Sequence, residues 1–201
     1  VQGAFSRSDD GGATNNGITT GLPTPLNQNF DFYSPWIMDP VNSNKLYVGG
    51  IPTLYTSINK GDTWTALGTP NGTGTIKAIA VAPSNTSIIY AIKEDAVSKS
   101  VNGGTSFTNI TGSLPVGSAT PVMLTISNTD PLKVWVVFSG YSATDKVFKS
   151  IDGGTTWTNI SAGLPNLPIN EIVYVNGSAT DDIYIGADIG VYTTANTSSS
   201  W

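Results

Sequence analysis

Short apolar stretches recur along the chain, and segments rich in Gly, Asn, Ser and Thr separate them. The stretches carry many β-branched residues, are bounded by Gly, Pro and Asn, and show no helical periodicity. They come in pairs: Trp36–Met38 with Leu46-Tyr47, 76–82 with Ile89-Tyr90, 122–126 with Val134-Trp135, and 172–175 with Ile183-Tyr184. This pattern predicts an all-β protein made of short antiparallel meanders.

An eight-residue segment of the form S/T-x-D/N-x-G/S-x-T/S-W/F also recurs, and we call it the box. Boxes begin at Ser8, Ser57, Ser100, Ser150 and Thr194, so their starts are 49, 43, 50 and 44 residues apart. The box at Ser8 keeps the turn residues but has Asn15 in place of the aromatic residue. A period in the forties fits one four-stranded blade of a β-propeller. The sequence therefore predicts an arc of a larger propeller, with a partial blade at 1–20, blades at about 31–68, 76–111 and 121–161, and a partial blade at 169–201.

The residue types of the box suit a tight turn between the third and fourth strands of a blade. Glycine tolerates the positive φ angles of such a turn, and an Asp, Asn, Ser or Thr side chain can bond to nearby backbone N–H groups. The aromatic residue at the end of the box is expected to pack where neighbouring blades meet. We assign this structural role to Ser8, Asp10, Gly12, Ser57, Asn59, Gly61, Trp64, Ser100, Asn102, Gly104, Phe107, Ser150, Asp152, Gly154, Trp157, Thr194, Asn196 and Trp201.

Composition excludes several classes of function. The 201 residues contain no His and no Cys, which rules out a disulfide framework, a Ser-His-Asp triad and a zinc site of the usual kind. A net charge of −5 and a single arginine, Arg7, argue against nucleic acid as a partner. No apolar run approaches the roughly 20 residues of a membrane-spanning helix. We expect no cofactor, no metal ion and no membrane insertion.

The box, most clearly 150–157, resembles the Asp box of BNR-type β-propellers. That superfamily includes sialidases, xyloglucan-degrading glycoside hydrolases, the sortilin luminal domain and a photosystem assembly factor. The layout of the repeat is also similar to that of secreted, multi-repeat proteins of Bacteroidota. The resemblance implies a secreted or cell-surface bacterial protein whose boxes lie on the outer rim, away from the ligand-binding face. Asp10 and Asp152 would then be structural rather than catalytic or calcium-binding.

In such a propeller, two sets of loops form the ligand-binding face. One set joins the fourth strand of a blade to the next blade, and the other joins the second strand to the third. Amides and aromatic rings on such a face suit the hydroxyl groups and the apolar faces of sugars, although the same residue types are common in ordinary loops. The candidate ligand-binding residues are Asn29, Asp31, Tyr33, Glu94, Asp95, Tyr141, Asp145, Asn166, Glu171 and Asp188.

Three functions stay open. The expected one is a non-catalytic extracellular scaffold for adhesion or for glycan or protein binding. Its partners would be the remainder of the parent chain, since the sequence begins at Val1 without Met or a signal peptide, and a carbohydrate or a surface protein. The alternative is part of a xyloglucanase-like glycoside hydrolase with Asp188 as a catalytic candidate, although no second carboxylate can be identified. A sialidase needs three arginines and is excluded. The third is an assembly factor that docks a partner.

Overall fold

The computed structural model describes residues 4–195 and Trp201. In this part of the chain, short strands form five antiparallel sheets, each of which takes its strands in chain order. Sheet 1 is β1 (Ser6–Arg7) and β2 (Asn16–Gly17); sheet 2 is β3 (Trp36–Met38), β4 (Leu46–Gly49), β5 (Leu54–Ser57) and β6 (Thr65–Ala66); sheet 3 is β7 (Ala78–Val81), β8 (Ile89–Ile92), β9 (Val97–Ser100) and β10 (Thr108–Asn109); sheet 4 is β11 (Thr120–Ile126), β12 (Val134–Ser139), β13 (Val147–Ser150) and β14 (Thr158–Asn159); sheet 5 is β15 (Ile169–Tyr174), β16 (Ile183–Ala187) and β17 (Gly190–Thr194).

The prediction of an all-β chain with four-stranded antiparallel sheets is confirmed. One helical turn, α1 (Leu26–Asn29), lies between sheets 1 and 2, so the candidate Asn29 belongs to a helical turn rather than to an irregular loop. In sheets 2, 3 and 4, the fourth strand is shorter than the spans 63–67, 107–111 and 157–161 that the sequence pattern predicts, with only two paired residues that are both exposed. The reason is that the box turn takes up the first residues of the expected strand.

The hydrophobic core lies between successive sheets rather than within one sheet. One cluster joins sheets 2 and 3 and contains Tyr47 and Ile79. A second joins sheets 3 and 4, with Tyr90 and Leu124 among its members, and a third joins sheets 4 and 5. A fourth joins sheets 1 and 2 around Trp64. Each sheet therefore depends on its neighbours to bury its apolar faces.

The four boxes that lie in the described part of the chain fold into the same hydrogen-bonded turn. In the box that begins at Ser150, the hydroxyl of this residue donates to Asp152 Oδ1 at 2.8 Å and accepts the N–H of Gly154 at 2.8 Å. The Asp152 carboxylate also accepts the N–H of Thr156 at 2.9 Å and its hydroxyl at 2.6 Å. Asn102 makes the same contacts, except that its amide group donates to Ser106 Oγ at 2.9 Å.

These contacts stabilise the charged form of the two box aspartates. The pKa of Asp152 falls to about 2, mainly because the Thr156 hydroxyl and N–H donate to the carboxylate. The pKa of Asp10 also falls to about 2, with the N–H of Thr14 as the largest cause. Of the last box, Asn196 lies outside the described residues, whereas Thr194 is a buried residue of β17.

Where a box ends in an aromatic residue, that residue reaches the sheet before it. Trp64 Nε1 donates to Ile18 O at 2.7 Å, and Trp157 Nε1 donates to Ile110 O at 2.8 Å. Trp201 makes the equivalent bond to Ile160 O at 2.6 Å. Phe107 stands at this place in the third box and packs into the core between sheets 2 and 3 without a donor group. The box thus links two sheets as well as closing a turn.

Candidate functional site

The connections between strands gather at two opposite ends of the sheets. The boxes of sheets 2, 3 and 4 each lie beside the turn between the first and second strands of the same sheet, and Gly103 N, for example, donates to Ser87 O at 2.9 Å. The connections from second to third strand and from one sheet to the next meet at the other end, which we call the loop end. There, Ile51 N donates to Asn29 O at 2.8 Å. Such contacts bring loops of different sheets to one surface.

At the loop end, one lysine stands between two candidate carboxylates. Lys77 Nζ lies 3.8 Å from Asp31 Oδ2 and 3.4 Å from Glu94 Oε1. The Thr75 hydroxyl donates to Asp31 Oδ2 at 3.3 Å. Because all three charged groups are partly exposed, these ion pairs contribute little to stability. Their main effect is to hold two carboxylates and an ammonium in one accessible group.

Two adjacent aromatic side chains project next to this group. Phe32 is 67% exposed and Tyr33 is 86% exposed, and their ring centroids lie 4.8 Å apart at an interplanar angle of 78°. The turn that carries them is fixed by Asp31, whose Oδ1 accepts the N–H of Phe32 at 2.7 Å and whose carbonyl accepts the Ser34 hydroxyl at 3.2 Å. We call Asp31, Phe32, Tyr33, Lys77 and Glu94 the binding patch.

Asp95 follows Glu94 in the sequence but does not pair with Lys77; it bonds to Thr73 instead. Its carboxylate accepts the N–H of Thr73 at 2.7 Å and the Thr73 hydroxyl at 3.0 Å, and the backbone bond is the main reason why the pKa of Asp95 is lowered. Gly72 has φ +101°, and a Cβ there would lie 2.6 Å from Asp95 Oδ1, so this close approach requires glycine. Asp95 therefore fastens the loop between sheets 2 and 3.

The structure does not bring the other candidates into the binding patch. Asn29 donates its amide to Pro25 O at 2.9 Å, Asp145 accepts the Ser142 hydroxyl at 3.2 Å, and Glu171 accepts the N–H of Ile172 at 2.9 Å. Tyr141 and Asn166 are exposed.

Sequence reasoning missed Phe32, Thr75 and Lys77. The sequence could have indicated Phe32, because two adjacent aromatic residues in a polar loop are unusual. Nothing in the sequence indicated Lys77, because its two partners, Asp31 and Glu94, are distant from it in the chain. Sequence reasoning also missed a buried lysine at the loop end, Lys146, whose Nζ donates to Gly140 O at 2.9 Å and to Leu167 O at 2.5 Å.

Asp188, the catalytic candidate, lies on the exposed loop between β16 and β17. Its Oδ1 accepts the amide of Asn170 at 2.8 Å. A glycoside hydrolase of the usual type needs two carboxyl groups about 5–10 Å apart on either side of the scissile bond.

Among residues 4–195 and Trp201, the structure shows no cluster of three or more Asp and Glu residues that would hold a metal ion. No helix in the same part of the chain is long and apolar enough to span a membrane.

Sheets of this kind, each packed face to face on the next and joined by loops at one end, define a β-propeller architecture. A family model described as the DUF6242 beta propeller domain matches residues 39–199. The chain therefore belongs to this family. No curated protein matches the sequence.

Solved structures share the fold at low sequence identity. An ancestral GH74 enzyme aligns with a TM-score of 0.67 and 21% identity over 88% of this chain and 24% of its own. YCF48 from Cyanidioschyzon merolae aligns with a TM-score of 0.64 and 16% identity over 97% of this chain and 62% of its own. The extracellular domain of the putative one component system BT4673 from B. thetaiotaomicron aligns with a TM-score of 0.58 and 18% identity over 98% of this chain and 29% of its own. The chain thus spans about a quarter of the GH74 enzyme, and these likenesses concern the fold alone.

Proposed function

We propose that the chain is a non-catalytic, extracellular β-propeller scaffold that binds a glycan through the binding patch. The single observation that carries this proposal is the exposed ring pair of Phe32 and Tyr33 beside two carboxylates that Lys77 holds in place. The repeated box further supports membership of the Asp-box, or BNR, superfamily. The extracellular domain of BT4673 among the similar structures supports a secreted or cell-surface location.

The chemistry of the binding patch suits a sugar better than it suits an anion or an apolar ligand. Aromatic rings offer flat apolar surfaces on which the C–H faces of a pyranose ring can pack, and exposed rings of this size are common anchors in recognition sites. Carboxylates accept hydrogen bonds from sugar hydroxyls, and the ammonium of Lys77 donates to hydroxyl oxygens. The Asp31 hydrogen bonds to Phe32 N and to the Ser34 hydroxyl fix the turn that carries the two rings, which lowers the backbone entropy lost on binding.

Glycan binding is tested by screening the protein on a glycan array and measuring the affinity of the best ligand by calorimetry. Phe32→Ala and Tyr33→Ala are each expected to weaken binding at least tenfold, which corresponds to about 1.4 kcal/mol. Tyr141→Ala is the matched control, because this tyrosine is also exposed, at 75%, but lies outside the binding patch. The proposal fails if no glycan binds, or if Tyr141→Ala weakens binding as much as Tyr33→Ala does.

The fold shared with a GH74 enzyme favours one second candidate, a portion of a xyloglucanase-like glycoside hydrolase. In that case Asp188 would supply one carboxyl group and a residue elsewhere in a longer parent protein the other. The test is hydrolysis of β-glucans by the parent protein and by its Asp188→Asn variant. Release of oligosaccharides that this substitution abolishes would establish the enzyme and refute the non-catalytic scaffold.

A further inference from the structure

The second position of the box carries an exposed aliphatic side chain in three successive sheets. Ile58 is 73% exposed, Val101 is 65% exposed and Ile151 is 61% exposed, and these residues directly follow the third strands of sheets 2, 3 and 4. Single exposed apolar residues are ordinary on a protein surface, but their recurrence at one position of a repeat is not. We call Ile58, Val101 and Ile151 the aliphatic row.

The fold of the box turns these side chains outward. The serine at the first position is buried and its hydroxyl closes the turn, as Ser150 does with Asp152 and Gly154. Neighbouring side chains of an extended chain point to opposite sides, so the residue after the serine points to solvent. Sheets 2, 3 and 4 each pack between two other sheets of the chain. The open sides of sheets 1 and 5 therefore do not contribute to the exposure of the aliphatic row.

The aliphatic row is bounded within the chain and is similar on both sides of its middle residue. At the same box position, Asp9 stands in the first box and Ala195 in the last. The turns that contact the boxes of sheets 2 and 4 add one exposed aliphatic residue each, Val41 at 69% and Leu132 at 38%. Val101 is thus flanked on either side by a comparable pair of apolar residues.

A second copy of the chain fits this surface. We propose that two copies pack their aliphatic rows together around a two-fold axis at Val101. Val101 then contacts its counterpart, and Ile58 of each copy contacts Ile151 of the other. A partner for the row must repeat apolar groups at the spacing of successive sheets, and the chain itself carries a surface with this spacing. A two-fold axis through the middle of the row brings the equal spacings of the two copies into register.

The charges beside the aliphatic row favour the same arrangement. Lys60, two residues after Ile58, is exposed and forms no ion pair with a described residue. Asp152 directly follows Ile151, and its carboxylate accepts only hydroxyl and N–H groups of its own box. The two-fold axis brings the box with Lys60 opposite the box with Asp152 at both ends of the contact. Opposite charges at these places favour this register over one that is shifted by a sheet.

The contact leaves the loop end free. The boxes and the loop end lie at opposite ends of the sheets, so the dimer carries its two binding patches on opposite outer surfaces. Each copy uses its aliphatic row once, and the dimer is therefore closed to further copies. Bivalent glycan binding by this dimer rests on the proposed function, whereas the dimer itself does not.

Site-specific cross-linking tests the position of the axis, because the chain contains no cysteine. Val101→Cys is expected to form a disulfide-linked dimer under mild oxidation, since the axis brings the two copies of this position close enough for a disulfide. Ile58→Cys and Ile151→Cys should each stay uncross-linked alone and should cross-link when mixed. Tyr141→Cys, exposed at the loop end, is the control for random collision. The proposal is wrong if Val101→Cys cross-links no more than Tyr141→Cys, or if Ile58→Cys alone cross-links as well as the mixture.

Light scattering after size exclusion on the 201-residue chain measures the dimer without oxidation. We expect a mass that rises with concentration to two copies and no further. Val101→Lys should raise the dissociation constant at least tenfold, whereas Tyr141→Lys should leave it unchanged. Both positions are exposed, so the variants should keep the circular dichroism spectrum and the unfolding midpoint; Val101→Thr, which keeps the branched shape, replaces Val101→Lys should that variant fail to fold. A chain that is monomeric at every concentration overturns the proposal, as does undiminished dimerisation of the Val101 variant.

Discussion

Replacing Trp64 with Phe tests the claim that box aromatics join neighbouring sheets. Trp64 is only 5% exposed and packs in the cluster between sheets 1 and 2, beside Phe5 at 6.4 Å between ring centroids. Its indole N–H donates to Ile18 O at 2.7 Å. Phenylalanine retains most of the ring but cannot donate, and Phe107 shows that this residue fits the same place in another box.

The expected loss has two parts. The carbonyl of Ile18 loses its partner in a buried position, which costs about 1–3 kcal/mol. The smaller ring leaves a void, which costs about 1 kcal/mol more. In a domain of this size, each kcal/mol lowers the melting temperature by about 2–4 °C, so Trp64→Phe should lower it by about 5–10 °C.

The assay is thermal and urea unfolding followed by far-ultraviolet circular dichroism. Trp36→Phe is the matched control, because it makes the same chemical change at a side chain that is 60% exposed, where the expected effect is within about 0.5 kcal/mol. If both variants unfold at the same midpoint, then the indole hydrogen bond and the packing of Trp64 do not hold sheets 1 and 2 together, and the reasoning is wrong.

Three further outcomes follow from the boxes. Asp152→Asn should leave the melting temperature nearly unchanged, because Asn102 makes the equivalent contacts, whereas Asp152→Ala should lower it. The folded-state pKa of Asp152 is about 2, below the ordinary value of 3.8, so its contribution to the free energy of unfolding is present above about pH 4 and is lost as the pH falls towards 2. Between these pH values, the free energy of unfolding of Asp152→Asn should therefore fall less than that of the unchanged protein. Gly154→Ala should destabilise more than Gly103→Ala in urea unfolding: both have positive φ, but only at Gly154 would the new Cβ lie 2.4 Å from Ile110 Cδ1. Equal midpoints for the two glycine variants would contradict the packing argument.

Much of the fold could be predicted from the sequence because its determinants are local. The box turn closes through bonds between residues two and four positions apart, such as Ser150 with Asp152 and Asp152 with Thr156. A repeat of such turns between short apolar stretches leaves few arrangements other than successive antiparallel sheets. The lengths of the fourth strands were overestimated because the turn and the strand compete for the same residues.

The candidate site was predictable only in part. Asp31, Tyr33 and Glu94 were found because polar and aromatic residues in these loops carry a visible signal. Their relation to one another was not visible, since Lys77 meets Asp31 and Glu94 only after three separate connections reach the loop end.

The sequence by itself determined the repeat, the all-β class and the turn chemistry, because each depends on neighbouring residues. The tertiary structure alone decided which apolar residues are covered. Trp36 and Ile79 occupy the same register position in their strands, yet one is exposed and the other buried. The physical reason is that burial in this architecture depends on the adjacent sheet. Among the described residues, Tyr47 of sheet 2 packs on Ile79, whereas the two strands of sheet 1 leave Trp36 exposed.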